Sequence, residues 1–233
     1  MIGPPDAVTI EEKFKEDQAA GLTERVRGAV LWRSGSQVVA QLVAWASTFL
    51  VIRLLEPSDY GLFAMTQVIL VFLNLMNGHG FASALVQSES IDRRRIAQAF
   101  GLLLLLNGTL ALVQLLTAPL VASYFRQPAL VDMLRVQALL YAATPFIALP
   151  SALLSREIDF RRQAKVNLVS AFLAAATALG CAFSGFGVWS LVAAPIVLFW
   201  TRAVGLTLTT RWLVWPSFRF ADAGGMLGYG GAL

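Results

Sequence analysis

Long apolar stretches alternate with short polar ones along most of this chain of 233 residues. Each stretch approaches the roughly 20 apolar residues that a helix needs to cross a bilayer. We therefore predict an all-α, polytopic membrane protein with six transmembrane helices. The predicted spans cover residues 34–55, 61–86, 97–122, 131–154, 165–184 and 187–209.

The composition supports this prediction. Hydrophobic residues make up 57% of the chain and charged residues only 14%, and the mean hydropathy is +0.67. A soluble domain averages about 25% charged residues. The sequence pI near 9.6 raises the possibility of nucleic-acid binding. The basic residues, however, lie in small groups between apolar runs and form no single patch, so we predict no nucleic-acid partner.

The distribution of charge predicts an orientation in the membrane. Fifteen of the 18 basic residues fall in the N-terminal segment, in the second and fourth connections, or after the sixth span, where we count Arg202. The opposite side holds Arg53, Arg126 and Arg135. The positive-inside rule then places the N-terminus in the cytoplasm.

Three regions follow along the chain. Residues 1–33 are predicted to form a cytoplasmic, amphipathic lead-in, and residues 34–210 a six-helix transmembrane lobe. Residues 211–233 are expected to form a cytoplasmic connection and the start of a seventh span, FADAGGMLGYGGAL, which the sequence cuts short. We therefore expect a fragment of a longer protein.

Residues that carry catalysis or bind metals are scarce. The chain has one histidine, His79, and one cysteine, Cys181, and it lacks the HExxH, P-loop and GxSxG motifs. We place none of its 14 acidic residues at the middle of a span. The sequence thus predicts no catalytic residue, no metal site and no cofactor. His79 itself is predicted to be a packing or interfacial residue.

Amide side chains recur within three spans at helical spacing. Spacings of four and seven residues place the members of each set on one helix face. Such a face either makes hydrogen bonds between helices or forms a polar wall for a hydrophilic substrate. Arg53, near a span end, either snorkels, pairs with Glu56 or Asp59, or contacts an anionic substrate. The substrate-cavity candidates are Gln37, Gln41 (with Thr48), Gln67, Asn74, Asn107, Gln114 and Arg53.

Four segments, in order, resemble one family of transporters. RLLEPSDYGLFAM (53–65) resembles the bend after the first span of polysaccharide transport proteins, and GFASALVQ (80–87) the end of their second span. LPSALLSREIDFRRQAKVNLVSA (149–171) resembles their fourth connection, and GFGVWSLV (185–192) the entry to their sixth span. These proteins are oligosaccharide-lipid flippases of the multidrug/oligosaccharidyl-lipid/polysaccharide exporter superfamily. The resemblance covers residues 35–233 and is closest to exporters of lipopolysaccharide, colanic acid and teichuronic acid.

The resemblance implies a fold of two six-helix lobes, of which this chain supplies one. It implies alternating access for a lipid-pyrophosphate-linked oligosaccharide at the inner membrane, without catalysis. The expected partners are that substrate, the lipid bilayer and other polysaccharide assembly proteins. His79 replaces the apolar residue expected in the family at that position.

Three alternatives remain at this point. A drug or cation exporter of the same superfamily is expected to carry acids inside the membrane. An intramembrane enzyme of glycan assembly needs an acid/base pair or a metal site. An inactive truncated fragment is the third.

Overall fold

The computed structural model describes residues 28, 32–76, 93–156, 160–210 and 216–217. Helices dominate these residues, and the described ranges contain no strand. From Trp32 onward the helices are α1 (Trp32–Ile52), α2 (Pro57–Met76), α3 (Arg93–Phe125), α4 (Ala129–Gln137), α5 (Leu139–Arg156), α6 (Phe160–Phe183) and α7 (Trp189–Thr210).

Within the described residues, six segments are long and apolar enough to cross a membrane, and α4 and α5 together make one of them. The predicted all-helical fold with six spans is therefore confirmed. Large apolar side chains face outward: Phe49, Phe72 and Leu120 are between 61% and 70% exposed. A lipid environment can accommodate such a surface, since its tails are as apolar as these side chains. Residues 77–86 of the second predicted span, the lead-in up to residue 31 and most of 211–233 lie outside the described residues.

The fourth span consists of two helical segments that join at Ala138, which keeps helical backbone angles. α4 ends at Gln137, and α5 begins at Leu139 after Ala138, whose N–H donates to the Leu134 carbonyl at 3.0 Å. α5 also contains Pro145 and Pro150. A proline has no N–H to donate to the carbonyl four residues earlier, so Pro145 deprives the Tyr141 carbonyl of its helical partner.

Two helices end in the same hydrogen-bonded turn. After α3, the Gln127 N–H donates to the Ala122 carbonyl and the Arg126 N–H to the Ser123 carbonyl. After α6, Phe186 and Gly185 repeat the pattern. This is the Schellman motif, which requires a left-handed residue just past the helix end. Gly185 has φ +77° and Arg126 has φ +54°.

The segment Arg53–Met65 forms the bend between α1 and α2. α2 begins at Pro57, where a missing N–H costs nothing because the first amides of a helix have no partner in it. Asp59 then closes the bend, its carboxylate accepting a hydrogen bond from the Glu56 N–H at 3.3 Å. A Cβ added to Gly187 would lie 3.3 Å from that carboxylate, so the bend packs directly on the turn before α7.

Contacts between distant residues show which helix ends share a face of the bundle. The Arg161 guanidinium lies 5.3 Å from the centre of the Trp32 ring, joining the starts of α6 and α1. The Ser217 N–H donates to the Ala97 carbonyl, joining the chain after α7 to the start of α3. We call this face the first face. The bends at 53–56, 126–128 and 184–188 lie on the opposite, second face.

Candidate functional site

A cavity of about 360 Å³ lies between α1, α6 and α7, with Tyr60 of α2 at its edge. Small side chains open this space, because alanines occupy most of the α6 wall at helical spacing (Ala171, Ala174, Ala175 and Ala178). We call it the arginine cavity after Arg202, the one charged residue among the described residues that line it.

The polar face predicted for the first span lines this cavity. Gln37, Gln41 and Thr48 all stand on its wall, together with Ser47. The Thr48 hydroxyl donates to the Ala44 carbonyl at 2.8 Å, and the Ser47 hydroxyl reaches the Ala175 carbonyl of α6 at 3.5 Å. The two glutamines make no hydrogen bond within the described residues, so their amides are available to a ligand.

Arg202 is a cavity residue that the sequence analysis missed. We counted it with the connection after the sixth span although the predicted span 187–209 contains it, and the structure places it inside α7, about 20 Å along the helix from Trp189 and about 12 Å before Thr210. Its Nε is buried without a hydrogen-bond partner. The position within VLFWTRAVGLTLTT (197–210) was the available signal, since the apolar run continues for two turns beyond the arginine.

No carboxylate compensates the charge of Arg202 within the described part of the chain. The acidic residues there are Glu56, Asp59 and Asp132. Asp59 packs beside Gly187, about 20 Å from Arg202 along α7. A cation held inside an apolar bundle without a partner is costly, so the cavity favours an anion or a strongly polar ligand.

Other polar atoms around the arginine cavity also lack partners. The Asn167 Oδ1 of α6 and the Tyr60 hydroxyl of α2 are buried and make no hydrogen bond. Asn167 lies about 10 Å into α6 from the first face, the same half of the bundle as Arg202. The cavity thus offers an unused amide acceptor and an unused hydroxyl around one positive charge.

A second cavity, of about 420 Å³, lies between α2, α5 and α7. Gln67 and Asn74, the amides predicted to share a face of the second span, both line it. We call it the amide cavity. It shares Ala174, Ala194 and Leu198 with the arginine cavity, so these three side chains form the partition between the two.

Asn107 and Gln114 line neither cavity. Both are buried, Asn107 at 1% exposure and Gln114 at 0%. The Gln114 amide donates to the Leu134 carbonyl of α4 at 2.7 Å, and the Asn107 amide to the Leu103 carbonyl at 2.9 Å. Of the two interpretations left open for the polar faces, hydrogen bonding between helices describes Gln114, whereas the Asn107 bond to Leu103 stays within α3.

Arg53 lies outside both cavities. Its side chain is exposed at the end of α1 on the second face, and it makes no ion pair with Glu56 or Asp59. His79 lies outside the described residues. The described residues contain no group of three or more side chains able to hold a metal ion.

Comparison with known proteins identifies the family. The model of the family described as "Polysaccharide biosynthesis protein" matches residues 50–233. The chain belongs to this polysaccharide biosynthesis protein family. The resemblance on which we based that expectation is thereby confirmed, and the chain has the apolar helices of a multi-pass membrane protein.

Several relatives of the chain in this family carry descriptive names. It is 30% identical over 169 residues to the succinoglycan biosynthesis transport protein ExoT of Rhizobium meliloti, covering 72% of this chain and 34% of that one. It is 20% identical over 149 residues to the teichuronic acid biosynthesis protein TuaB of Bacillus subtilis, covering 64% and 31%. An uncharacterized membrane protein in the cps region of Klebsiella pneumoniae is 20% identical over 139 residues, covering 60% of this chain and 29% of that one.

The chain spans about a third of the length of the curated relatives it matches. No solved structure matches it.

Proposed function

We propose that this chain is one lobe of a two-lobe flippase, which moves a polyprenyl-pyrophosphate-linked oligosaccharide across the inner membrane by alternating access. In this proposal the protein breaks no covalent bond. Its N-terminus lies in the cytoplasm, so the first face of the bundle is cytoplasmic and the second face is external. The names of the relatives, a succinoglycan transport protein among them, support glycan export as the process.

The arginine cavity is the observation that carries the proposal. A diphosphate is excluded from bare lipid by its charge, and it needs fixed donors inside the membrane to replace its hydration shell. Arg202 supplies a positive charge with several N–H donors in a fixed plane. Gln37, Gln41 and Asn167 add amides on the facing helices. Arg202 lies in the half of α7 nearer the first face, where a substrate made in the cytoplasm would enter.

The same cavity argues against export of cationic drugs. Among the described residues that line it, Arg202 alone is charged, and a cation placed beside this arginine would be repelled at low effective dielectric. A glycan carried on a diphosphate has the opposite sign of charge. The proposal therefore favours the anionic, lipid-linked substrate over the cationic one.

Replacement of Arg202 tests this function in cells. In a strain whose native gene carries Arg202→Gln, we expect export of surface polysaccharide to fall about tenfold or more, since a hydrogen bond to a charged group contributes about 1.5–3 kcal/mol. Lipid-linked oligosaccharide should accumulate on the cytoplasmic side, measured by lectin binding to right-side-out and inside-out vesicles. Arg135→Gln is the matched control, because Arg135 is an exposed arginine of α4 that lines neither cavity.

Deletion of the gene provides the decisive comparison. Normal surface polysaccharide in a clean deletion strain contradicts the proposal, as does a uniform loss of export with both arginine variants. Membrane levels of each variant are measured by immunoblotting, so that a loss of protein is distinguished from a loss of transport.

A further inference from the structure

The amide cavity has a different chemistry from its neighbour. The described side chains that line it are all uncharged, whereas Arg202 stands on the other side of the partition at Leu198. Gln67 and Asn74 make no hydrogen bond to any described residue. Each amide offers donors and an acceptor together, a combination suited to a hydroxyl group, which also donates and accepts.

Tyr141 is the most unusual residue of this wall. Its side chain is only 3% exposed, yet its hydroxyl makes no hydrogen bond. Its carbonyl also lacks the usual helical donor, because residue 145 is proline. A buried polar atom without a partner costs about 1–3 kcal/mol, so a ligand that supplied the missing bond would be stabilised here.

Aromatic rings complete the cavity. Phe63 of α2 and Phe199 of α7 line it beside Tyr141. The C–H face of a sugar ring is apolar and slightly electropositive, and it packs against the negative face of an aromatic ring. A volume of about 420 Å³ lies within the range of roughly 300–1,000 Å³ that small-molecule sites occupy.

We propose that the amide cavity binds a neutral sugar residue of the transported glycan. This inference rests on the proposed function. In it, the arginine cavity receives the diphosphate and the amide cavity the adjoining sugar, on either side of Ala174, Ala194 and Leu198. Amides and the Tyr141 hydroxyl bond the sugar hydroxyls, and the rings pack on its C–H face.

Cysteine protection tests the site directly on the purified full-length protein. Cys181 and any further cysteines are replaced, and a single cysteine is introduced as Asn74→Cys in the amide cavity or Gln41→Cys in the arginine cavity. The rate of maleimide labelling is measured with neutral oligosaccharide, released by acid hydrolysis from the host's own polysaccharide, or with inorganic pyrophosphate. We expect the oligosaccharide to slow labelling at position 74 and pyrophosphate to slow it at position 41. Protection of position 74 by pyrophosphate, or by neither probe, overturns the inference.

Two substitutions separate ligand binding from packing. Tyr141→Phe removes only the unpartnered hydroxyl, so it should leave thermal stability unchanged or higher while weakening oligosaccharide protection at position 74 about fivefold, the effect of one hydrogen bond. Gln67→Leu should weaken protection similarly. Val68→Leu, an exposed neighbour on α2 that lines neither cavity, should not. Unchanged protection in Tyr141→Phe and Gln67→Leu overturns the inference.

These outcomes are independent of the deletion strain. If deletion abolishes polysaccharide export and the oligosaccharide fails to protect position 74, the sugar site is wrong and the proposed function stands. If deletion leaves export normal and protection is still specific, the site is supported as a sugar-binding site and the transport function is wrong.

Discussion

At the scale of single residues, amide side chains occupy two environments in this bundle, on cavity walls and buried between or within helices. Gln37, Gln41, Gln67 and Asn74 were predicted from helical spacing, and the structure places all four on cavity walls. Spacing alone did not separate them from Gln114, whose amide donates to a backbone carbonyl. A periodic pattern shows which residues share a helix face, but it does not show whether that face contacts a cavity or another helix. Whether the four amides touch substrate stays a prediction.

Arg202 was missed for a different physical reason. Counting basic residues by connection assumes that each charge lies at a membrane surface, which holds for most of them. An arginine inside a span breaks this assumption only when a cavity and a ligand compensate its burial. Local sequence carries no information on a cavity made by three helices that are far apart in the chain.

The two left-handed turn residues give a prediction at this scale. Arg126 and Gly185 occupy the same position in the same turn motif, with φ of +54° and +77°. A side chain there costs about 1–2 kcal/mol that glycine avoids. We expect Arg126→Gly to stabilise the purified protein by up to about 1 kcal/mol and Gly185→Ala to destabilise it by about 1–2 kcal/mol. The midpoint of thermal unfolding in detergent measures both.

The two substitutions control for each other, because they are expected to change stability in opposite directions at equivalent turns on the same face. A lower midpoint for Arg126→Gly would show that the arginine side chain makes a stabilising contact that outweighs its backbone strain. A neutral Gly185→Ala would show that the turn after α6 relaxes without cost.

At the scale of helices, small residues decide which elements pack closely. Gly205 of α7 lets α6 and α7 approach each other, as membrane helices do when small side chains line their interface. The apolar pattern predicted both helices, with boundaries within a few residues. It also predicted one span across α4 and α5, and Ala138 between them keeps helical backbone angles and a helical hydrogen bond.

Gly205 provides a test of the α6–α7 contact. A Cβ at this position would lie 2.7 Å from Cγ1 of Val166, closer than such atoms can approach, so α7 must shift. We expect Gly205→Ala to lower stability by about 1–3 kcal/mol, the usual cost of overpacking. Because Gly205 lies one turn from Arg202, the Gly205→Ala substitution should also reduce polysaccharide export.

A double-mutant cycle identifies the cause. Val166→Ala removes the methyl groups that the new Cβ would meet, so Val166→Ala with Gly205→Ala should recover most of the loss in thermal midpoint and in export. Additive losses in the double variant would mean that Gly205 acts through the backbone of α7 and not through this contact.

At the scale of the whole molecule, the sequence and the structure agree on which helix ends lie on the same face of the bundle. The sequence grouped the connections by charge, and contacts such as Arg161 over Trp32 and Asp59 beside Gly187 group the same ends in space. The bend Arg53–Met65 and the stretch 185–192, recognised separately as family features, meet at that second junction. Contacts of this kind fix which ends lie together, and charge alone predicts which face is cytoplasmic.

Cysteine accessibility in intact cells tests that orientation. With native cysteines replaced, Ser58→Cys and Ser184→Cys place a thiol on the second face, and Ser34→Cys places one on the first. All three serines are exposed, and the exchange of oxygen for sulfur changes the side chain little. Because the positive-inside rule puts the first face in the cytoplasm, a membrane-impermeant maleimide should label positions 58 and 184 in intact cells and position 34 only after permeabilisation. The reverse pattern would invert the orientation and place Arg202 nearer the external side, so that a substrate made in the cytoplasm would meet the arginine late in transport and not at entry. Labelling of positions 58 and 184 from opposite sides would contradict the shared junction at Asp59 and Gly187, and with it the packing of α2 on α7 that closes the second face of the lobe.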